Sequence, residues 1–244
     1  MRFKLTLQIQ PHVSGRELPI NYQYELSAAI YRILAHSDEN YSSWLHENGF
    51  VIGGKRFKLF TFSNLIIPQY GIDKQRQRLV IKSDIIEWFI SFLPEKSTQQ
   101  FIEGVFCQQS FHIADKISGV EFQVREVQVM PPLDYQKEMC FETLSPVCVS
   151  TRKEDGKTEY ISPSDPSYVT GILTGLLARY EAYYGKEYDR EVYCDFMVLD
   201  EPKSVLVKIK AETPQQTFVR GYRYKFKVKL PEPLMNIGYE SGWG

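Results

Sequence analysis

A proline pair near the middle of the chain separates two stretches in which the same order of elements occurs twice. In Met130-Pro131-Pro132-Leu133, the prolines can continue neither a helix nor a central strand, because proline lacks a backbone N–H and has a fixed φ. On each side of this break, the hydrophobic pattern predicts a strand, a helix, two strands and a further strand. The chain is therefore predicted to form two domains of similar topology.

The first half is predicted to begin with a half-buried strand over residues 2–9, in which apolar side chains alternate with polar ones. Apolar residues then recur at helical spacing over 21–36, and a short second helix is predicted over 40–47. Asp84 resembles a helix N-cap and Pro94 a helix stop, which predicts a helix that ends at Leu93. Further strands are predicted over residues 57–63, 77–83, 105–113 and 119–129.

The second half is predicted to open with a strand over residues 139–151. Ser164-Asp165-Pro166 then places a capping residue before a proline, which predicts the start of a helix that extends to Tyr184. Strands are predicted near 193–199, 204–211 and 217–230, and a short helix near 232–237 could take the place of a second long helix. The two halves together predict an α+β fold of two tandem ferredoxin-like (RRM-like) βαββαβ domains, at residues 1–130 and 137–244.

Composition limits the classes of function that fit. The 29 basic and 30 acidic residues nearly cancel, so any nucleic-acid surface must be a local patch. The four cysteines show no CxxC spacing, which argues against a zinc site or a disulfide. The N-terminus alternates like a strand, and no apolar run approaches the roughly 18 residues of a membrane helix. We expect a cytoplasmic protein that does not bind membranes.

The last predicted strand carries a row of positive charge. Basic residues occupy every second position, and aromatic or aliphatic residues fill the alternate ones; the basic residues are Arg223, Lys225, Lys227 and Lys229. A strand places the two sets on opposite faces, so the basic row could follow a phosphate backbone. The alternative is a solvated face in which the basic residues protect the strand from edge pairing.

A second set of candidates lies in the first half. Tyr31 flanks the buried stripe of its helix, and His46 ends a helical turn beside a glycine-rich loop. A lone histidine in such a place is more often a surface or capping residue than a catalytic one. Residues 49–55 nearly match a phosphate-binding P-loop, but Arg56 stands where that loop needs Ser or Thr, and nucleotide hydrolysis is rejected.

The end of the chain carries a family resemblance. Val219-Arg220-Gly221-Tyr222, the basic strand and Gly238-Tyr239-Glu240-Ser241-Gly242-Trp243-Gly244 resemble the glycine-rich signature of the CRISPR repeat-processing endoribonucleases. These enzymes cut precursor CRISPR RNA within its repeats. Asn21-Tyr22-Gln23-Tyr24 with Ile30-Tyr31 is similar to the first helix of the family, and Trp44-Leu45-His46-Glu47 is similar to its histidine segment. Lys58-Leu59-Phe60-Thr61-Phe62-Ser63 resembles the strand that begins with the family's active-site lysine. Thr143-Leu144-Ser145-Pro146-Val147 resembles the run that opens its second domain.

The resemblance implies metal-independent transesterification, without a cofactor. The ribose 2′-hydroxyl would attack the adjacent phosphate and leave a 2′,3′-cyclic phosphate and a 5′-hydroxyl. His46 would protonate the leaving oxygen, and Tyr31 would orient or deprotonate the 2′-hydroxyl. Lys58 would stabilise the charge of the transition state, with Lys55 as the alternative lysine.

The resemblance also implies CRISPR repeat RNA as the partner. Beside the basic row, the expected RNA contacts are Lys55, Arg56, Arg220, Gly238, Gly242 and Gly244. Two further partners are left open: a larger CRISPR effector complex, and a second copy of this chain in a homodimer. The glycine-rich segment of the family usually continues beyond the position of Gly244, so this sequence is either a truncated form or closes its second domain differently. A non-cleaving RNA-binding subunit of the same fold, and a ferredoxin-like domain unrelated to RNA, are the competing hypotheses.

Overall fold

The structure is a computed structural model that describes residues 1–210 and 214–244. Among these residues, no helix is long and apolar enough to cross a membrane. The helices are α1 (Pro11–Ser14), α2 (Gln23–Ser37), α3 (Glu39–Glu47), α4 (Glu95–Cys107), α5 (Ser167–Tyr184) and α6 (Glu232–Ser241). The helices predicted over 21–36, 40–47 and from 164 to 184, and the short helix near 232–237, are confirmed.

The strands range from three to eleven residues in length. They are β1 (Arg2–Ile9), β2 (Glu17–Pro19), β3 (Phe50–Ile52), β4 (Lys55–Phe57), β5 (Phe60–Phe62), β6 (Tyr70–Asp73), β7 (Arg78–Ile81), β8 (Ile85–Phe92), β9 (Ser110–Ala114), β10 (Gly119–Val129), β11 (Glu138–Glu142), β12 (Ser150–Arg152), β13 (Thr158–Tyr160), β14 (Asp195–Val198), β15 (Lys203–Ile209), β16 (Thr217–Arg223) and β17 (Lys225–Lys229).

The first half is built on an antiparallel sheet with the order β5-β8-β1-β10-β9. Strand β1 lies between β8 and β10, and its alternate residues Phe3, Leu5, Leu7 and Ile9 are buried as the sequence predicts. Helices α2 and α4 pack against each other and contribute to the same core. Strands β1, β5, β8 and β10 with these two helices have the order of a ferredoxin-like unit.

The helix predicted from Asp84 to Leu93 is wrong, because this segment forms strand β8. Its buried residues Ile86, Trp88 and Ile90 occur at every second position, and β8 pairs with both β1 and β5. Pro94 does not end a helix but immediately precedes α4, where the missing N–H of proline costs nothing. The strand predicted over 105–113 is wrong in its first part, since α4 continues to Cys107.

The second half has a smaller antiparallel sheet, in which β17 lies between β11 and β14. Helix α5 begins as predicted: the Asp165 carboxylate accepts a hydrogen bond from the backbone N–H of Ser167 at 2.8 Å. The strand predicted over 139–151 is interrupted after Glu142, and β12 pairs with β13 in a separate hairpin. The strand predicted over 204–211 is confirmed as β15, and position 211 lies outside the described residues.

The strand predicted over 217–230 is divided at Tyr224 into β16 and β17. Strand β16 pairs with β15 in a hairpin, whereas β17 enters the sheet of the second half. Tyr224 is buried, and its hydroxyl lies 2.7 Å from that of Tyr168 in α5. One continuous pattern of alternation in the sequence therefore serves both the β15–β16 hairpin and the sheet of the second half.

The two halves pack against each other through apolar, cation–π and ionic contacts. Leu59 and Leu93, which belong to the first half, lie in the hydrophobic core of the second half. The Arg2 guanidinium lies 3.6 Å from the ring centroid of Tyr239, and the N-terminal amine of Met1 lies 2.9 Å from the Glu240 carboxylate. The segment with Pro131 connects β10 to β11 without a helix or strand, and the domain limits at 130 and 137 stay a prediction.

Candidate active site

Helices α2 and α3 bring Tyr31 and His46 together. Asp38 caps α3 by accepting a hydrogen bond from the Tyr41 N–H at 2.9 Å, so the chain turns sharply between the helices. The Ser42 hydroxyl donates to the Tyr31 carbonyl at 2.7 Å and ties the helices side by side. The rings of Tyr31 and His46 then meet edge to face, with centroids 4.9 Å apart.

Lys58 reaches the same place from the segment before β5. Its Nζ donates to the backbone carbonyls of Leu45 and His46, each at 2.6 Å. These carbonyls belong to the last turn of α3, which has no backbone donors of its own to satisfy them. Arg56 donates to the next carbonyl, that of Glu47, at 3.0 Å. Lys58 is therefore a cap of the helix that carries His46.

Two residues with positive φ lie where the Lys58 segment meets the end of α3, and the sequence did not identify the conformation of either one. Gly49 follows α3 with a φ of +63°, and a Cβ there would lie 2.5 Å from the Phe57 carbonyl oxygen and 3.2 Å from the Lys58 side chain. Leu59 has a φ of +53°, a conformation that costs free energy in any residue but glycine. The glycine-rich composition near 49–54 hinted at the first feature, but nothing in the sequence marks Leu59.

Burial shifts the pKa values of Tyr31 and Lys58. Burial raises the pKa of Tyr31 to about 12, so the phenol keeps its proton at neutral pH. The Phe60 ring, with its centroid 5.7 Å from that of Tyr31, contributes to this apolar surrounding. The pKa of Lys58 is lowered, first by burial and then by the neighbouring positive charge of Arg56. Tyr31 is thus suited to donate a hydrogen bond rather than to accept a proton.

The glycine-rich end of the chain packs against β5 from the other half. Gly242 follows α6, and a Cβ placed on it would lie 3.5 Å from the Thr61 hydroxyl. The buried Arg179 guanidinium donates to the carbonyls of Gly242 and Gly244, the latter at 2.7 Å. Residues of β5 and of this segment also line a common cleft of about 310 Å³. The segment therefore lies beside the strand that follows Lys58.

Gly238 has a different position from the other two predicted glycine contacts. It is buried within α6, and a Cβ there would lie 2.8 Å from the ring of Trp243. Trp243 in turn packs on Phe141 and Phe226, with ring centroids 5.3 and 5.1 Å away. Gly238 is thus in close contact with Trp243, and this packing is one reason for a glycine at its place in the motif; its predicted contact with RNA stays a prediction.

The basic row on β17 lies on the outer face of its sheet, where carboxylates of β11 meet it. Lys227 lies 3.3 Å from Glu138, and Lys225 lies 3.9 Å from Glu142. Lys229 lies 5.7 Å from the ring centroid of Tyr193. Edge protection is wrong as an explanation, since β17 has neighbours on both sides. The row is less positive than its sequence suggests.

The other predicted RNA contacts lie on two hairpins. Lys55 and Arg56 are exposed on the β3–β4 hairpin, which packs against α5, and Arg220 and Arg223 are exposed on β16. Within the described residues, none of the four lies within 4.0 Å of a carboxylate. These four cations are therefore free to contact an anion. In the described part of the chain, no group of three or more His, Cys, Asp or Glu side chains could hold a metal ion.

Comparison with known families covers both halves of the chain. The family model described as CRISPR-associated protein Cas6, N-terminal, matches residues 17–128, and the model described as CRISPR associated protein Cas6, C-terminal, matches residues 128–244. The chain belongs to the Cas6 family. The resemblance noted at the glycine-rich end and at the histidine segment is thereby confirmed for the family as a whole.

Relatives agree in length and fold. CRISPR-associated endoribonuclease Cas6 1 of Methanocaldococcus jannaschii is 28% identical over 248 residues, which cover all of this chain and 88% of that protein. A solved structure named CRISPR associated protein Cas6 is 27% identical with a TM-score of 0.72, over all of this chain and 93% of that one. A Cas6-related protein of Pyrococcus furiosus has a TM-score of 0.79 at 23% identity, over 100% and 93% of the two chains. The predicted tandem ferredoxin-like fold is confirmed.

Proposed function

We propose that this protein is a metal-independent endoribonuclease that cleaves precursor CRISPR RNA within its repeats. One observation carries the proposal: Tyr31, His46 and Lys58 come from three separate elements and converge at the end of α3. A tyrosine, a histidine and a lysine can together orient a hydroxyl, move a proton and stabilise a phosphate charge. Membership of the Cas6 family and the relative named as an endoribonuclease support the substrate class.

In the proposed reaction, the 2′-oxygen of the ribose attacks the adjacent phosphorus while its proton passes to solvent. His46, in its protonated form, donates a proton to the 5′-oxygen as the bond between that oxygen and phosphorus breaks. The products are a 2′,3′-cyclic phosphate and a 5′-hydroxyl, so no water is consumed in the step. His46 is exposed and is held by helix α3, which suits contact with a large substrate.

Tyr31 and Lys58 act on the same phosphate from fixed positions. Tyr31 keeps its proton and donates a hydrogen bond that orients the 2′-hydroxyl, because its pKa of about 12 makes it a poor base. The Lys58 ammonium has three donors, of which two bind the Leu45 and His46 carbonyls. The third donor remains for a phosphate oxygen, and it stabilises the charge that builds up in the transition state.

The test is cleavage of a repeat RNA of the host's own CRISPR array in excess EDTA, by the wild type and by His46→Ala. We expect the wild type to cleave in EDTA and to leave a 2′,3′-cyclic phosphate, which mass spectrometry of the products identifies. We expect His46→Ala to bind the RNA with unchanged affinity and to lose cleavage. Loss of wild-type cleavage in EDTA, with recovery on adding magnesium, would contradict the proposal.

The same experiment separates the enzyme from a non-cleaving RNA-binding subunit. Binding of repeat RNA without any cleavage by the wild type, with or without a divalent cation, would favour the binding subunit. His12→Ala provides a matched control, since His12 lies in α1 and outside the proposed site. We expect His12→Ala to cleave at the wild-type rate.

A further inference from the structure

A cleft of about 370 Å³ opens beside the N-terminal end of α2, on the same helix that carries Tyr31. Its walls come from α2, from the segment after β5 and from β6, and the second half contributes Leu144 and Arg223. Its volume lies within the range of about 300–1,000 Å³ that small-ligand sites occupy. We call it the α2 cleft.

Two side-chain amides in the α2 cleft have unused hydrogen-bonding groups. Gln23 donates from its Nε2 to the Oδ1 of Asn64 at 3.3 Å. The Oε1 of Gln23 is buried, and it has no hydrogen-bond partner among the described residues. The Nδ2 of Asn64 makes no hydrogen bond in that part of the chain either. The pair therefore carries one unused acceptor and one unused donor, the two kinds of group that read the edge of a nucleobase.

The remaining walls supply a flat apolar surface and a cation. Tyr70 and Ile72 line the α2 cleft from one face of β6, and each is 52% exposed. An exposed tyrosine ring is a surface on which an unpaired base stacks. Arg223 lines the opposite side, and unlike Lys225 and Lys227 it has no carboxylate within 4.0 Å in the described residues. Arg223 is thus a cation of the predicted basic row with no carboxylate neighbour among the described residues.

We propose that the α2 cleft binds one unpaired base of the substrate RNA, with Arg223 on the phosphate beside it; this rests on the proposed function. Gln23 and Tyr31 are eight positions apart in α2, which is about 12 Å along the helix axis. A strand of RNA that places its scissile phosphate at Tyr31 and His46 can therefore reach the cleft within a few nucleotides. The cleft holds that base, by stacking on Tyr70 and hydrogen bonds to Gln23 and Asn64, and so contributes to the choice of repeat sequence.

The test measures binding of a set of repeat RNAs, each lacking one base at a different position. Binding is measured in the His46→Ala protein, so that cleavage does not interfere. We expect one abasic position to weaken binding by roughly 5- to 100-fold. Addition of Tyr70→Ala weakens binding of the intact RNA by a similar factor. It also reduces the extra loss at that position, because both changes delete the stacking contact, whereas the abasic change alone also deletes the hydrogen bonds to Gln23 and Asn64.

Two further variants sharpen the result. Tyr193→Ala is the matched control, since Tyr193 is 68% exposed and does not line the α2 cleft. We expect it to leave the profile of abasic losses unchanged. Gln23→Leu keeps the size of the side chain and removes its polar atoms, and we expect it to reduce the preference among the four bases at the sensitive position. Thermal unfolding of each variant confirms that it is folded.

The outcomes separate the α2 cleft from the proposed function. If the wild type cleaves with dependence on His46, while Tyr70→Ala and Tyr193→Ala give the same abasic profile, the cleft proposal is wrong and the enzyme proposal stands. If no single abasic position weakens binding, the cleft proposal is likewise wrong. If the wild type neither binds nor cleaves repeat RNA, both proposals are wrong.

Discussion

At the scale of single residues, Tyr31 lets the reaction be tested by pH. Burial raises the pKa of Tyr31 from 10.0 to about 12, so its phenol stays protonated between about pH 6 and 9. We expect Tyr31→Phe to lower the rate of cleavage at saturating RNA by about a hundredfold, and by the same factor at every pH in this range. A ratio of wild-type to variant rates that grows tenfold per pH unit would instead identify Tyr31 as the base.

Lys58 and Lys55 can be distinguished by two properties measured together. Lys58→Met removes the donor to two carbonyls of α3, so we expect slower cleavage and a loss of about 1–2 kcal/mol in the free energy of unfolding. Lys55→Met is the matched control on the exposed β3–β4 hairpin: as an expected RNA contact it weakens RNA binding, and we expect it to keep the stability and the cleavage rate at saturating RNA. Single-turnover cleavage and thermal unfolding are the measurements. A larger loss of rate in Lys55→Met than in Lys58→Met would contradict the assignment.

At this scale, the sequence predicted candidate functional side chains but not the residues that surround them in the fold. Tyr31, His46 and Lys58 were predicted from a family resemblance; the structure places the rings of Tyr31 and His46 in contact and the Lys58 ammonium on the Leu45 and His46 carbonyls. The neutralisation of Lys225 and Lys227 could not be predicted, because Glu142 and Glu138 lie on a strand more than 80 residues away in the chain. The alternation of charge within one strand says nothing about the strand beside it.

At the scale of elements, α6 and the segment after it give a test of the glycine motif. We expect Gly238→Ala to reduce the free energy of unfolding by about 1–3 kcal/mol, since the new Cβ would overlap the Trp243 ring. In a Trp243→Leu background the overlap is relieved. There we expect the same substitution to be neutral or stabilising by up to about 1 kcal/mol, because alanine has a higher helix propensity than glycine. Equal losses in the two backgrounds, measured by chemical denaturation, would contradict the packing role.

The misprediction at residues 84–94 has an identifiable physical cause. Residues 84–94 carry a helix-like start and stop around a mostly apolar run, and a short buried run fits either a helix or a strand. Pairing with β1 and β5 decides the outcome in favour of β8, and those partners lie roughly 30 to 90 residues away in the chain. By contrast, α2 and α5 were predicted correctly because their apolar period and their ends are local properties.

At the scale of the whole molecule, the two halves share a core. Leu59 and Leu93 of the first half are buried with residues of the second half, and contacts of Arg2 with Tyr239 join the two ends of the chain. We therefore expect the protein to unfold in a single thermal transition, with equal calorimetric and van't Hoff enthalpies. Two resolved transitions in differential scanning calorimetry would show that the halves unfold independently.

The central claim is that His46 protonates the leaving 5′-oxygen, and sulfur substitution of that oxygen tests it most directly. A thiolate leaves without needing a proton, so a repeat RNA with a bridging 5′-sulfur at the cut does not require a general acid. We predict that His46→Ala, inactive on normal RNA, cleaves the sulfur-substituted RNA at a rate close to that of the wild type, while Lys58→Met remains slow on both. Equal defects of His46→Ala on the two RNAs would contradict the role of His46 as the general acid.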